Sequence, residues 1–370
     1  EVSSHAIGNE VIEDQELVLS FVVNRHGDRS PDSDELSLSS QAERLKNITY
    51  IEGLEGLTNT GKRRAYQIGK FLRQRYGIQG HNILSTLYLQ DELAVRSTDK
   101  ERTKMTALMA MAAAYPPEIE QQWDDGIGKV WQPVPYTTVP LSEDYLRYYS
   151  NCAHFKCLMA DAKMAAWDAE FAPFADLIPL LKAETGRNFT EDPVLFETLH
   201  DLFKSQLSLG LDIPEWSKPI LPRLNEASLL AYRLFFKTDE MKKLGGGVLL
   251  HKFLEAADAA ASGQKVKKLH MFSAHDYNMG GLMAASRVEG DERIMPAYGS
   301  LFALELYKSK SGEYSVLPVY LEQAGQCIAS HLRILGCPEP FCDLQVFRQL
   351  TKDYVLPEAE FHKICKTKIV

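Results

Sequence analysis

The pattern of apolar and polar positions first becomes regular at residues 17–24 (LVLSFVVN). This nearly continuous apolar run, with β-branched Val22 and Val23, predicts a central strand covered on both faces. It stops abruptly at residues 25–31 (RHGDRSP), a dense group of charge, glycine and proline. After a polar loop the period changes. Tyr66, Ile68, Gly69, Phe71, Leu72 and Tyr76 recur near helical spacing, which predicts an amphipathic helix over 60–76 capped by Thr58 or Thr60. Its arginines read as a solvated face. A short second strand over 92–95 ends at Arg96. A helix over 100–114 follows, with Ser97, Thr98 or Asp99 as its cap and Pro116-Pro117 as its stop.

The pattern changes from residue 117 to 244. A Pro-punctuated extended segment (WQPVPYTTVP, 131–140) precedes helical stretches over 152–171, 173–184, 193–208 and 225–236. At Gly245-Gly246-Gly247 the alternation of strand and helix resumes: a helix over 248–261, a third strand over 268–272, then Ser273-Ala274-His275-Asp276 and a helix over 278–287. Residues 301–306 and 314–321 alternate around 308–312 and read as a hairpin. Strands alternating with helices predict an α/β chain with a mixed, mainly parallel central sheet flanked by helices. Residues 1–116 and 245–370 would form this core, and 117–244 a mostly helical cap insertion.

Composition narrows the classes. The 370 residues are 45% hydrophobic and 25% charged, with a formal net charge of -9. An acidic chain of this kind gives no reason to expect nucleic acid or anionic membrane as a partner, so the basic group at 25–29 is a local device. The longest apolar stretch, 105–115, is far shorter than the roughly 20 residues of a membrane span, and no stable membrane anchor is expected. Glu1 and the absence of a visible signal peptide read as a mature, processed chain. Asn47 and Asn188 head N-x-T sequons, acceptors for glycosylation in a secretory compartment. The six cysteines, Cys152, Cys157, Cys327, Cys337, Cys342 and Cys365, show no C-x2-C knuckle and favour disulfides over zinc. Their spacing leaves the pairing open.

Three predicted strand ends carry polar clusters: Arg25, His26 and Arg29; Arg96; His275 and Asp276. In a parallel sheet all three can meet in the crevice beyond the carboxyl ends. The chemistry that fits them is phosphomonoester hydrolysis. Arg25, Arg29 and Arg96 are bidentate, permanently charged donors for phosphoryl oxygens. His26, kept neutral by these cations, can attack phosphorus. Asp276 can protonate the leaving oxygen and then activate water, which implies an acidic optimum. His275 would be a further donor to the phosphate. Three arginines would repel a metal ion, and no cofactor is called for. His5, His81, His154, His200, His251, His270, His331 and His362 read as structural or solvated.

Six segments resemble the histidine acid phosphatases, branch 2 of the histidine phosphatase superfamily, and within them the prostatic and lysosomal type: RHGDRSP (25–31), GLTNTG (56–61), RSTDKERT (96–103), WQPVPYTTVPLSED (131–144), SAHD (273–276) and LGCPEPFC (335–342). They stand in family order over nearly the whole chain. The resemblance implies a phosphoglycerate mutase-like fold, His26 as phosphorylated nucleophile, Asp276 as proton donor, and a phosphate pocket of Arg25, Arg29, Arg96 and His275. It implies disulfides Cys152–Cys365 and Cys337–Cys342. The family's third pair falls at Ser205 and Leu301, and Cys157 and Cys327 are extra; these two are expected to pair with each other. A family tryptophan at the pocket mouth falls near Phe196. The resemblance also implies a homodimer, and the reading is of a secreted enzyme, with the lysosomal lumen as the alternative. The rival from another class is a secreted ligand-binding protein on a phosphatase scaffold.

Overall fold

The computed structural model of the chain describes residues 14–338 and 340–366. Residues 1–13, His5 among them, lie outside the described residues. In chain order the elements begin with β1 (Gln15–Arg25), α1 (Ser33–Leu36), α2 (Ala42–Ile48), α3 (Asn59–Tyr76), β2 (Leu93–Ser97) and α4 (Glu101–Ala114). The segment 117–244 adds α5 (Tyr148–Asn151), α6 (Ala153–Ala166), α7 (Ile178–Thr185), α8 (Leu195–Ser208) and α9 (Leu221–Arg233). Then come α10 (Asp239–Ala261), β3 (Leu269–Ala274), α11 (Asp276–Ala285), β4 (Leu301–Ser309), β5 (Tyr314–Leu321), β6 (Ser330–His331), β7 (Cys342–Asp343), α12 (Leu344–Thr351) and α13 (Glu358–Lys366).

The sheet is mixed, in the order β2-β3-β1-β4-β5-β6, with β7 on β5. It is parallel across β2, β3 and β1 and antiparallel from β4 onward, where the predicted hairpin attaches. Register decides the function of the parallel half. Asn24 pairs with Ser273 and Ser97 pairs with the same Ser273, so the three strands end level with one another. Each junction therefore opens into one crevice.

The two faces of β1 feed two apolar cores. Leu19, Phe21 and Val23 pack with Val248, Leu249 and Phe253 of α10, in a cluster continuous with the helices of segment 117–244. Leu17 and Val22 pack with Ile68 and Leu72 of α3 and Ala107 and Ala110 of α4. Leu17 and Leu19 would share a face in a regular strand, since side chains alternate with period 2. A register shift between them, a bulge, turns Leu17 to the other face.

Helix α3 starts where expected, with the Thr58 hydroxyl accepting from the Gly61 amide at 3.0 Å. Helix α10 starts nine residues before the expected Val248, capped by Thr238. The three glycines that read as a break lie inside it, because the helix there meets other backbones. A Cβ on Gly246 would stand 1.9 Å from the Gly281 carbonyl oxygen of α11. The expected resumption of the core at Gly245 thus falls within one continuous helix.

Beneath the sheet, Arg75 at the end of α3 forms a two-pronged pair with Glu305 of β4, both bonds 2.7 Å, and the Tyr76 and Tyr307 hydroxyls donate to the same carboxylate. Burial alone would raise the Glu305 carboxyl, but Arg75 dominates and holds it down to about 2.

Cys152–Cys365 and Cys337–Cys342 are joined. The expected Cys157–Cys327 bridge is not formed: both are free and exposed. Cys157 faces outward on α6, which packs on α13 and α10, whereas Cys327 lies in the loop after β5, where neighbouring Gly325 borders Gln67 of α3. An even cysteine count encouraged the pairing; the two thiols stand on separate elements.

Candidate active site

The crevice at the level strand ends is a cavity of about 330 Å³. Arg25 is the last residue of β1, and the chain is pinned there on both sides. The Arg25 amide donates to the Ser300 carbonyl and the His26 amide to the Ala274 carbonyl. Gly27 lies against the first turn of α3: a Cβ there would stand 2.3 Å from the Gly61 carbonyl oxygen. Glycine is needed there to let the His26 loop lie against that helix.

The hydrogen bonds of His26 define its tautomer. Nδ1–H donates to the Gly27 carbonyl at 2.8 Å, so Nε2 carries the lone pair, and Nε2 accepts from Arg102 Nε at 3.0 Å. Burial, followed by Arg102, Arg25 and Arg29, holds the imidazole well below its ordinary range. The result is a neutral imidazole with an oriented Nε2 lone pair.

The cations are oriented by carboxylates. Arg25 donates to Asp276 Oδ2 at 2.7 Å, to Asp201 Oδ2 at 3.1 Å and to the Pro296 carbonyl at 2.8 Å, with its guanidinium 4.3 Å above the Tyr298 ring. Arg29 makes a two-pronged pair with Glu35, at 2.8 and 2.5 Å. Arg25, His26, Arg29, His275 and Asp276 are each at most 7% exposed, so charge in this site interacts with little screening from water.

Arg96 does not join them. Its side chain leaves the strand toward the buried Asp144, to which it donates, and lies 4.3 Å over the Tyr145 ring. Its register partner Phe272 faces the apolar cluster shared with segment 117–244, and Arg96 is directed to that side of the edge strand. The third guanidinium in the cavity belongs to Arg102, in the first turn of α4. The expected side-chain caps are used elsewhere, which leaves the helix start to Lys100. Thr98 Oγ1 bonds His275 Nε2 at 3.0 Å, and Asp99 pairs with Lys104. A cation at a helix N-terminus was the relevant signal, because backbone N–H groups and the helix dipole already favour phosphate there.

His275 stands edge-on to His26, ring centroids 5.5 Å apart. Burial, followed by Arg102 and His26, holds it well below its ordinary range, so it offers a neutral N–H rather than an imidazolium. Asp276 opens α11, with Oδ1 accepting from the Tyr277 amide at 2.9 Å. Three further buried carboxylates were missed from sequence: Glu35 after the RHGDRSP segment, and Glu197 and Asp201 one turn apart on α8. Glu197 accepts from the Tyr277 hydroxyl at 2.8 Å. Burial, then Asp201 and Asp276, push its carboxyl well above the ordinary range. Phe196, placed near the mouth by resemblance, is buried among Phe171, Phe174 and Phe189; its neighbour Val194 lines the cavity instead.

Residues 16–320 match the profile described as the histidine phosphatase superfamily (branch 2). Prostatic acid phosphatase of Rattus norvegicus is 32% identical over 93% of this chain and 88% of its own length. The venom acid phosphatase of Apis mellifera is 31% identical over 96% and 89%. Human lysosomal acid phosphatase is 31% identical over 90% and 76%. Among solved structures, the Hafnia alvei phytase in complex with tartrate superposes with a TM-score of 0.66 at 15% identity, covering 95% of this chain and 100% of that one. The Citrobacter braakii phytase gives 0.65 at 16%, covering 93% and 99%. The structural likenesses establish the α/β fold, and the sequence likenesses go further: this chain belongs to branch 2 of the histidine phosphatase superfamily, among its acid phosphatases.

Proposed function

We propose that this enzyme hydrolyses phosphate monoesters in two displacements through a phosphohistidine on His26. The observation that carries the proposal is the His26 imidazole itself: Nδ1–H tied to Gly27, and an Nε2 lone pair aimed among Arg25, Arg29 and Arg102. In the first step Nε2 forms a bond to phosphorus and the ester P–O bond breaks. The guanidiniums hold the equatorial oxygens, whose charge they neutralise. A substrate that enters as the monoanion at acid pH gives its proton to Asp276 as Arg25 passes from Asp276 to the phosphoryl group, and the leaving oxygen then takes that proton from Asp276. In the second step the Asp276 carboxylate removes a proton from water. The water oxygen attacks phosphorus, the P–N bond breaks, and orthophosphate and neutral His26 are restored.

The test is a rapid quench with labelled substrate. The expected adduct is labile in acid and stable in base, and His26→Ala abolishes both adduct and turnover. Retained turnover in that variant would overturn the nucleophile assignment. The rival reading, a binding protein without turnover, leaves the oriented nucleophile and the adjacent acid without a use.

We further propose a secretory-pathway setting, extracellular or lysosomal. Two disulfides, an exposed Asn47 sequon, and prostatic and lysosomal relatives support it. No helix of the described residues is long and apolar enough to cross a membrane. Loss of mass on treatment of the secreted protein with an N-glycosidase checks occupancy of Asn47 and Asn188. For the homodimer, four exposed apolar residues, Ile119, Trp123, Ile127 and Val130, fall in one stretch of the chain, and sedimentation tests it.

A further inference from the structure

The mouth of the catalytic cavity is charged opposite to its floor. Arg25, Arg29 and Arg102 lie at the bottom, and the wall made by the start of α1 presents Asp32 and Asp34. Asp34 is exposed, and its carboxylate makes no hydrogen bond or ion pair among the described residues. Asp32 is partly exposed; one oxygen caps α1 by accepting from the Glu35 amide at 2.8 Å, and the other stands 3.8 Å from Arg29. On the facing loop Glu55 accepts from Arg102 at 2.5 Å and Lys100 at 2.8 Å. Burial works against its charge, but Lys100 and Arg102 prevail and hold it down to about 2, so it stays ionised through the acid range.

A single phosphoryl group reaching His26 satisfies the cations of the floor. What remains for the rest of the substrate is the unpaired Asp34 and the half-solvated Asp32. Lys100 is committed to Glu55, and Arg147 donates to the Tyr149 hydroxyl at 2.6 Å. Of the described residues that line the cavity seven are carboxylic and five basic, Arg147 being the one cation among them with no carboxylate partner, so a second anionic group meets an excess of carboxyl groups, whereas a positive group meets Asp32 and Asp34.

We infer that Asp32 and Asp34 are specificity-determining residues, a charge filter that selects phosphate monoesters whose remainder carries positive charge, such as a phosphorylated residue flanked by Lys or Arg, and turns polyanionic remainders away. The filter rests on the proposed monoesterase reading of the same cavity. It also follows from position in the sequence: the segment that grips phosphate through Arg29 runs directly into the helix that screens what the phosphate is attached to.

The experiment compares two phosphoserine peptides that differ only in flanking Lys or flanking Asp, each normalised to p-nitrophenyl phosphate. At a few ångströms to a nanometre in partly aqueous surroundings, two carboxylates against two charges should favour the Lys peptide about tenfold to a hundredfold in kcat/KM, mainly through KM. The ratio shrinks as salt is raised. Asp32→Asn with Asp34→Asn should bring it near one; asparagine still caps α1, so the fold is retained. Asp34→Lys should reverse the preference. Equal rates for both peptides in the native enzyme, or an unchanged ratio in the double variant, would overturn the filter. Failure to hydrolyse p-nitrophenyl phosphate would overturn the monoesterase reading instead.

Discussion

Arg102→Ala is the substitution on which the geometry of the site makes its sharpest demand. Burial works against charge in all three guanidiniums of the floor. Asp276 and Asp201 nevertheless raise Arg25 above its ordinary range and Glu35 raises Arg29, whereas Arg102 is lowered by burial and by Arg29. Of these three Arg102 is therefore the least compensated, paired among the described residues with the partly exposed Glu55 alone, and its Nε lies 3.0 Å from His26 Nε2, the nitrogen proposed to attack phosphorus. On that proposal a phosphoryl group on this nitrogen accepts from Arg102. Loss of one preorganised donor at such a position costs about 2.7–4 kcal/mol, or roughly 10²–10³ in kcat/KM. A second effect has a definite sign. Arg102 is the first charge holding His26 down, so its removal raises the imidazole and moves the acid limb of the kcat/KM profile to higher pH. The assay is steady-state hydrolysis of p-nitrophenyl phosphate from pH 3 to 8, with Arg96→Ala in parallel. Arg96→Ala strands the buried Asp144 and should lower Tm, but should keep kcat/KM within about threefold, since it removes no donor from the floor. An Arg102→Ala enzyme within threefold of the native one, or an Arg96→Ala loss that matches it, would refute the assignment.

Three other outcomes are expected. Glu305→Ala leaves Arg75 charged and buried without its partner and should destabilise the fold by about 3–5 kcal/mol, measured by urea unfolding at pH 7. Because the Glu305 carboxyl is depressed from 4.5 to about 2, its contribution is complete above pH 4.5 and is lost as pH falls toward 2; Glu305→Gln should flatten that acid decline. Glu197 is the opposite case: its raised carboxyl binds a proton in the folded chain that the unfolded chain releases above about 4.5, so native stability falls as pH rises by up to about 1.4 kcal/mol per unit. Glu197→Gln removes that slope, and its Tm advantage over the native enzyme should widen from pH 4 to pH 7; a constant gap would contradict a buried neutral acid. Finally, an aromatic disulfide reagent should titrate two thiols per native chain, at Cys157 and Cys327, where a third bridge would give none.

The fold and the heart of the site could be read from the chain because local patterns and site chemistry coincide there. The apolar run of β1, the charged segment that ends it and the SAHD junction of β3 each occupy a contiguous stretch, and a parallel sheet brings such junctions together. Arg96 and Arg102 lie in one segment, and choosing between them requires the face of an edge strand, which depends on pairing that residue identity does not encode. Glu197 and Asp201 come from a helix far away in sequence, and Glu and Asp one turn apart usually mark a solvated face; only the packing of α8 over the crevice distinguishes them. The glycine triplet misled for a related reason. Glycine marks both a chain break and a helix packed backbone to backbone, and the difference is the presence of α11.

The Cys152–Cys365 bridge bears on how the molecule is made. A ribosome releases Cys152 at the start of α6 and must add 213 further residues before its partner exists. The C-terminal junctions of β1, β2 and β3 are all synthesised before that partner, so the sheet can assemble before this bridge closes. Throughout the interval Cys157 stands five residues along the same helix, outward-facing and free. Cys365 thus meets two cysteines five residues apart, and in the folded chain it bonds the buried Cys152 while Cys157 stays exposed. A bridge to Cys157 instead would leave the Cys152 thiol without its partner.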